Sequence, residues 1–462
     1  MSCNARMLVT ASMGCVLLGC AIYRPLPLTA SDVENVLASP NREVLERKAS
    51  ALSHPNIAPI TLDFSRPLTT DEIAVIAVIS NPDLRALRAQ QGVADAQVFA
   101  AGLLPDPQLS AGVDQVLGPS DPALSNGFTS SLTLDLLAPL ATHRVEKQTA
   151  QAAARRVRLD IAWQEWSTAG EARLLAMRVG YQREAAHLAG QAADTSERAL
   201  QRALMALAAG DLKQDEIEAR RIAASESSAR SLAAERDYES TRLELNRLLG
   251  LRPDEELDLE DSMSIDRFQT IGHEMDTEQL FADARSNRLD LQALAAGYDS
   301  QEGELHRAIL GQYPRLSITI NRARDTSHVQ TAGPAIGLDL PAWNRNRGAI
   351  ALARANRDQL RAEYAARLHQ TRADIAALVA ALERDAQALG VLKTQVPAIE
   401  RVASDLEAAA QRGDVTLPTA ESARAAAIDK RLTMIGLEQS CSEQRLALLL
   451  AVGRPLTGST NP

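Results

Sequence analysis

Few side chains in this 462-residue sequence are placed to do chemistry, and the best placed is a thiol. Cys20 follows Leu17-Leu18-Gly19 at the end of a short apolar run, Met7 to Leu18, which begins just after Arg6. A nucleophilic sulfur beside a residue small enough to enter a protease can be alkylated and then become a new N-terminus. The run is too short to span a bilayer as a helix. Cys3 and Cys15 lie in the same leader, so Cys441 alone would remain as a free thiol. It sits in a helical stretch, where it is read as a small buried apolar residue without a disulfide partner. The seven His residues form no i, i+3 or i, i+4 pair, and Met177, Met205, Met263, Met275 and Met434 are scattered. No metal clamp or thioether cluster follows from them. GxGxxG, a phosphate loop, HExxH, GxSxG and CxxC are all absent from the sequence. No catalytic residue and no metal ligand are assigned, and the expected protein is not an enzyme.

The leader resembles a bacterial lipobox. Residues 1–19 then form a lipoprotein signal peptide, and Cys20 carries a diacylglycerol and an acyl chain. Ala21 in place of Asp resembles a signal for release to the outer membrane. With 49 Lys and Arg against 59 Asp and Glu, the net charge is −10, which disfavours nucleic acid as a partner. Apolar residues reach 45% but aromatics only 3%, and much of the apolar content is Ala. That composition suits long helices in close approach better than a compact enzyme.

The elements that would position anything come twice. Asp83-Leu84-Arg85-Ala86-Leu87 recurs as Asp290-Leu291-Gln292-Ala293-Leu294, and Pro107-Gln108-Leu109-Ser110 as Pro314-Arg315-Leu316-Ser317, both at an offset of 207. Leu134-Asp135-Leu136 recurs as Leu338-Asp339-Leu340, and Gly210-Asp211-Leu212 as Gly413-Asp414-Val415. Gly250 and Gly453 each close a Leu-rich helix. Anchors in one order, with drift confined to loops, indicate a duplicated unit.

Each unit predicts a helical stretch (71–101, 276–310), two strands, and two long helices meeting at Gly-Asp. The first pair of helices spans 142–209 and 212–250, and Pro397 is expected to interrupt and bend the second unit's long helix. Leu316, Ile318 and Ile320 alternate with Ser317, Thr319 and Asn321, as a two-faced strand does. The strands fall at about 107–115 and 128–137, then about 314–322 and 333–341. Four strands cannot close a membrane barrel, which needs about eight, so strands that face lipid would require several chains. Hairpins packed on helices in a soluble protein are the alternative.

The leader, the double helix–strand–strand–helix–helix plan and the paired Gly-Asp turns together resemble the TolC-type outer membrane efflux factors. Within them, three segments look like the heavy-metal branch of CzcC and CusC type. These are Asn81-Pro82-Asp83-Leu84, Leu104-Pro105-Asp106-Pro107-Gln108-Leu109-Ser110, and Leu340-Pro341-Ala342-Trp343-Asn344-Arg345-Asn346-Arg347-Gly348. The resemblance implies a mainly α fold: a long α-helical barrel of coiled-coil hairpins, with four transmembrane strands per chain. A homotrimer would share one twelve-stranded barrel. It implies a lipid-anchored arm at 20–66, a first repeat at 67–253, a waist linker at 254–274, a second repeat at 275–456 and a tail at 457–462. The loops at 114–127 and 322–332 would be extracellular.

Gly210, Asp211, Leu212, Gly413, Asp414 and Val415 would form the periplasmic tip, docking an adaptor and gating the channel. The residues themselves also allow Asp211 and Asp414 merely to cap the following helices. Asp135 and Asp339 would line the lumen or bond to the strand-to-helix turn. The implied partners are a periplasmic membrane-fusion adaptor, an inner-membrane proton-driven pump and outer membrane lipid. The implied cargo is a heavy-metal cation. Drugs, a secreted polypeptide and a lipid-anchored coiled-coil scaffold are the competing readings.

Overall fold

The computed structural model describes residues 22–115, 117, 126–135, 137–260 and 276–454. Cys20, most of the 114–127 loop and of the linker, and the 457–462 tail lie outside the described residues. The chain divides into two compact units between Ser39 and Pro40. In the first, Thr29 caps helix α1 (Ala30–Leu37) by accepting from the Asp32 N–H, and the Asp32 carboxylate accepts from the Thr29 N–H at 3.0 Å. The remaining elements belong to the second unit.

After helix α2 (Arg42–Ser50) the same order runs twice. The first pass is α3 (Thr70–Ser80), α4 (Pro82–Ala101), β1 (Gln108–Asp114), β2 (Gly127–Leu134), α5 (Leu137–Ala209) and α6 (Gln214–Leu249). The second is α7 (Thr277–Asn287), α8 (Leu289–Leu310), β3 (Arg315–Arg324), β4 (Gln330–Asp339), α9 (Arg347–Arg412) and α10 (Leu417–Val452).

The expected single stretches at 71–101 and 276–310 are each two helices. Asn81 ends α3 and caps α4, its Oδ1 accepting from the Leu84 N–H at 2.8 Å, and Pro82 occupies the first helical position. A proline there removes an N–H that would lack a partner anyway and pushes the preceding residue out of helical conformation. Arg288, extended at φ −69° and ψ 120°, makes the corresponding break.

Helix α5 has 73 residues, or about 110 Å at 1.5 Å per residue. Its first half packs on α4 and α8, where Ser300 donates to the Thr149 carbonyl and Arg158 pairs with Asp95. Its second half packs on α6 and α10, where Arg178 pairs with Glu443 and Tyr181 meets Ser442. Helix α9 runs unbroken through Pro397, contrary to the expected interruption. Pro397 is exposed, so water can satisfy the carbonyl that loses its partner, and the helix continues at the loss of one bond.

The main core lies at mid-height. Ile73, Val75 and Val78 of α3 are buried with Trp166 and Leu175 of α5 and Leu249 of α6. Six consecutive apolar residues, Ile73 to Val78, leave α3 with no polar face and dictate burial all round. Cys441 is also buried, and that burial pushes its thiol above the ordinary range.

The four strands form one antiparallel sheet in the order β1-β2-β3-β4. Leu109 faces Leu132, Leu132 faces Ile320, and Ile320 faces Pro334. Because β2 and β3 belong to different repeats, the sheet fuses the two repeats. The expected 322–332 loop shrinks to a five-residue turn, 325–329. Asp325 organises it by accepting from the N–H groups of Ser327 and Val329, at 2.8 and 2.9 Å.

Candidate functional site

The alternation of β-strands and the register together define two chemically distinct sheet faces. One carries Leu109, Leu132, Leu134, Ile318, Ile320, Ile336 and Leu338; the other carries Ser110, Thr129, Ser131, Thr133, Ser317, Thr319 and Asn321. Leu109, Ile320, Ile336 and Leu338 are more than half exposed, so nothing among the described residues covers the apolar face. Thr133 and Thr319 hydrogen-bond across the polar face at 3.1 Å. Both outer edges, of β1 and of β4, lack a strand partner among the described residues.

At the far end of the helices, α5 ends in Gly210 at φ +84° and α9 in Gly413 at φ +84°. Gly210 N–H donates to the Leu207 carbonyl and Asp211 N–H to the Ala206 carbonyl; Gly413 and Asp414 donate likewise to Ala410 and Ala409. Each turn thus satisfies the last carbonyls of its helix, with glycine at the left-handed position where a side chain would be strained. The two aspartates, expected as possible caps, do not cap the helices that follow them. The residues that precede α6 and α10 are Lys213 and Thr416, and neither aspartate is an N-cap. Two residues closer to the preceding helix, they serve that helix through their backbone N–H groups. Asp414 also accepts from Arg412 Nε at 2.9 Å, whereas the Asp211 carboxylate makes no hydrogen bond or ion pair among the described residues. Leu212 packs half-buried on Leu200, Ala203 and Ile217; Val415 is half-buried. Arg202 on α5 reaches Glu421 on α10 at 2.8 Å, which places both turns at one end.

Asp135 lines a cavity of about 1200 Å³ under the sheet, with His143, Glu146, Arg307 and Arg315. Asp339, by contrast, pairs in register with Arg315 at the base of β4. The two aspartates are therefore not in equivalent surroundings. Among the described residues, no three His, Cys, Asp or Glu side chains gather to hold a metal ion, and no helix is long and apolar enough to cross a membrane.

Two constellations escape a sequence reading. The first is a joint built twice. Asn81 Nδ2 donates to the Leu248 carbonyl at 2.8 Å, and Arg288 Nη1 donates to the Ala451 carbonyl at 3.0 Å. These are equivalent donors and equivalent acceptors, 207 and 203 residues apart. A Cβ on Gly250 would lie 3.0 Å from the Ser80 carbonyl oxygen, and one on Gly453 would lie 3.2 Å from the Arg288 nitrogen. Helices α6 and α10 thus each end pressed into a kink. Asn81-Pro82, a helix-start signal, could have revealed the first joint; nothing local marks the second.

The second constellation ties the segment after α2 to the shaft. His54, its ring 1% exposed, accepts at Nδ1 from the Asn56 N–H at 3.0 Å and bonds through Nε2 to the Ala162 carbonyl at 2.9 Å. Glu165 lies 3.7 Å from Nε2 and receives Arg88 Nε at 2.6 Å. Burial holds the imidazole below its ordinary pKa, and Arg88 adds to this against the opposing pull of the Ala162 bond and Glu165. The unfolded chain therefore takes up a proton first as pH falls below about 6.5, and stability drops from there down to the folded pKa. Thermal melts should show a falling midpoint below about pH 6.5, with that part of the slope flattened by His54→Gln. An unchanged slope would place the acid sensitivity elsewhere.

Residues 280–454 match the family described as "Outer membrane efflux protein". That match spans most of the second repeat, where the chain is similar to this family. Solved structures share the fold across both repeats. CusC superposes with a TM-score of 0.68 at 13% identity, over 87% of this chain and 98% of that one. The Campylobacter jejuni CmeC channel gives 0.69 at 15%, over 94% and 95%. The open-state MtrE channel of Neisseria gonorrhoeae gives 0.67 at 16%, over 88% and 95%. A search of curated protein sequences gives no significant match. At such identities the fold is shared while the side chains at the tip, the joints and the sheet are this chain's own.

Proposed function

We propose that this protein is the outer membrane channel of a tripartite efflux system, a passive duct that performs no catalysis. The observation that carries the proposal is a four-stranded sheet with one bare apolar face and two open edges, mounted on a helix about 110 Å long. Backbone groups along an open edge cannot remain unpaired in lipid, so the sheet must close on copies of itself. Three chains give twelve strands, and because the strands alternate in direction, β4 of one chain meets β1 of the next antiparallel. The apolar face then meets lipid and the Ser/Thr face lines the lumen. CusC, which forms a transmembrane channel, supports the same reading. Cys20 would add a diacylglycerol and an acyl chain, and the helical part would project into the periplasm towards a membrane-fusion adaptor and an inner-membrane proton-driven pump.

The cargo proposed is a heavy-metal cation. Deleting the protein should sensitise cells to one or more of zinc, cobalt, cadmium, copper and silver, with rescue on complementation. Sensitivity confined to dyes, detergents and antibiotics would overturn the metal assignment and keep the channel; sensitivity confined to export of a polypeptide would do the same.

At the tip, a trimer would bring six carboxylates together, but Arg412 already offsets Asp414 within each chain. Asp211→Ala should therefore weaken cation preference in planar bilayers more than Asp414→Ala does. No effect in intact trimers would remove Asp211 from the permeation path, and equal effects would show that Arg412 does not offset Asp414.

A further inference from the structure

The apolar sheet face carries two charged side chains among its described residues, and both are arginines at the loop end. Arg322 and Arg324 follow Ile318 and Ile320 on that face by the two-residue period, and both are exposed. Among the described residues, no ion pair or side-chain hydrogen bond engages either guanidinium. The nearest acidic residue in sequence, Asp325, is committed through its Oδ1 to the turn N–H groups of Ser327 and Val329. Around Arg322 the face is small: Ser130 and Ala332 are its register partners and Ala111 faces Ser130. The long stem can lie over these residues while the guanidinium reaches towards the loop end. An unpaired arginine on a lipid-facing strand carries a depth-dependent cost that an anionic partner at the headgroup level would offset.

Resting on the channel reading, we infer that Arg322 and Arg324 dock a phosphate-bearing lipid headgroup of the outer leaflet. The loop end lies opposite the helical shaft, so with the shaft in the periplasm these side chains stand at the outer surface. Two guanidinium forks one strand period apart can each offer paired N–H donors to phosphate oxygens, which an ammonium group cannot do. The site is asymmetric between the repeats. At the 207-residue offset, the first repeat has Gln115 and Leu117 in these places. A trimer would therefore hold three such lipids, not six.

Native mass spectrometry of the full-length purified protein tests this with three probes: bisphosphorylated lipid A, the same lipid without phosphates, and phosphatidylethanolamine. The wild type should retain up to three bisphosphorylated lipids per trimer. R322Q/R324Q should lower that retention at least ten-fold, and R322K/R324K should lower it less. Retention that is equal with and without phosphates, or unchanged in R322Q/R324Q, would overturn the inference. Complete displacement by millimolar inorganic phosphate would do so too, by identifying a free-anion site. Channel conductance in planar bilayers separates the two levels. R322Q/R324Q should conduct like the wild type, whereas a wild type that never inserts would sink the channel reading beneath the inference.

Discussion

Ile320→Lys is expected to abolish membrane insertion, while Asn321→Lys, one residue along the same strand, is expected to be tolerated. Ile320 lies in the middle row of the apolar face, between Leu132 and Pro334. A lysine at the midplane of a lipid-facing strand costs about 2–4 kcal/mol, and three chains in one barrel would multiply that threefold. Asn321 faces the other way, beside Ser131 and Gly333, where a charge would meet water in the lumen. Recovery of each variant in the outer membrane fraction, followed by conductance, provides the readout. If both variants insert equally well, the sheet does not face lipid, and a soluble hairpin pair becomes the better account.

The second large effect belongs to Arg288. Its guanidinium forms a bidentate pair with Asp290, at 3.0 and 2.7 Å, caps α10 through the Ala451 carbonyl, and stacks 4.6 Å from the centre of the Trp163 ring. Both partners of the pair are about nine-tenths buried, with Arg367 a further 3.8 Å from Asp290. Arg288→Ala leaves that carboxylate buried without its main partner, and should cost about 3–5 kcal/mol. Arg288→Lys should recover little, since an ammonium group can neither form the paired bonds nor stack as a plane. The double variant R288M/D290L should recover most of the loss, because it removes the orphaned charge. Denaturation midpoints of the three variants decide the matter. If R288M/D290L is as unstable as Arg288→Ala, the capping and ring contacts matter more than the ion pair.

The duplication was legible because its anchors are residues that backbone geometry demands. Gly210, Gly413, Gly250 and Gly453 all stand at left-handed positions that close a helix, so their types persist in both units. The strands were legible from the alternation of Leu316, Ile318 and Ile320, a one-dimensional signal that needs no partner. What escaped depends on contacts between distant segments. Asn81 and Arg288 do the same work with unrelated side chains, so no comparison of residue types could align them by role. Asp211 and Asp414 looked like caps for the next helix because aspartate beside a turn usually is one. Their backbone N–H groups had already been claimed by the helix before them. Pro397 looked disruptive because sequence alone does not reveal that it faces solvent. His54 lies 108 residues from the Ala162 carbonyl it holds, beyond any local pattern.

The pairing of β2 with β3 has a consequence for assembly. Were the two repeats separate chains, that seam would form only when they met in solution, at whatever dilution the cell allowed. Joined as they are, each finds the other at an effective concentration on the order of millimolar, set by the tether and not by expression level. A closed ring of six hairpins from three chains would then have three seams between molecules instead of six, the other half being inherited with the polypeptide.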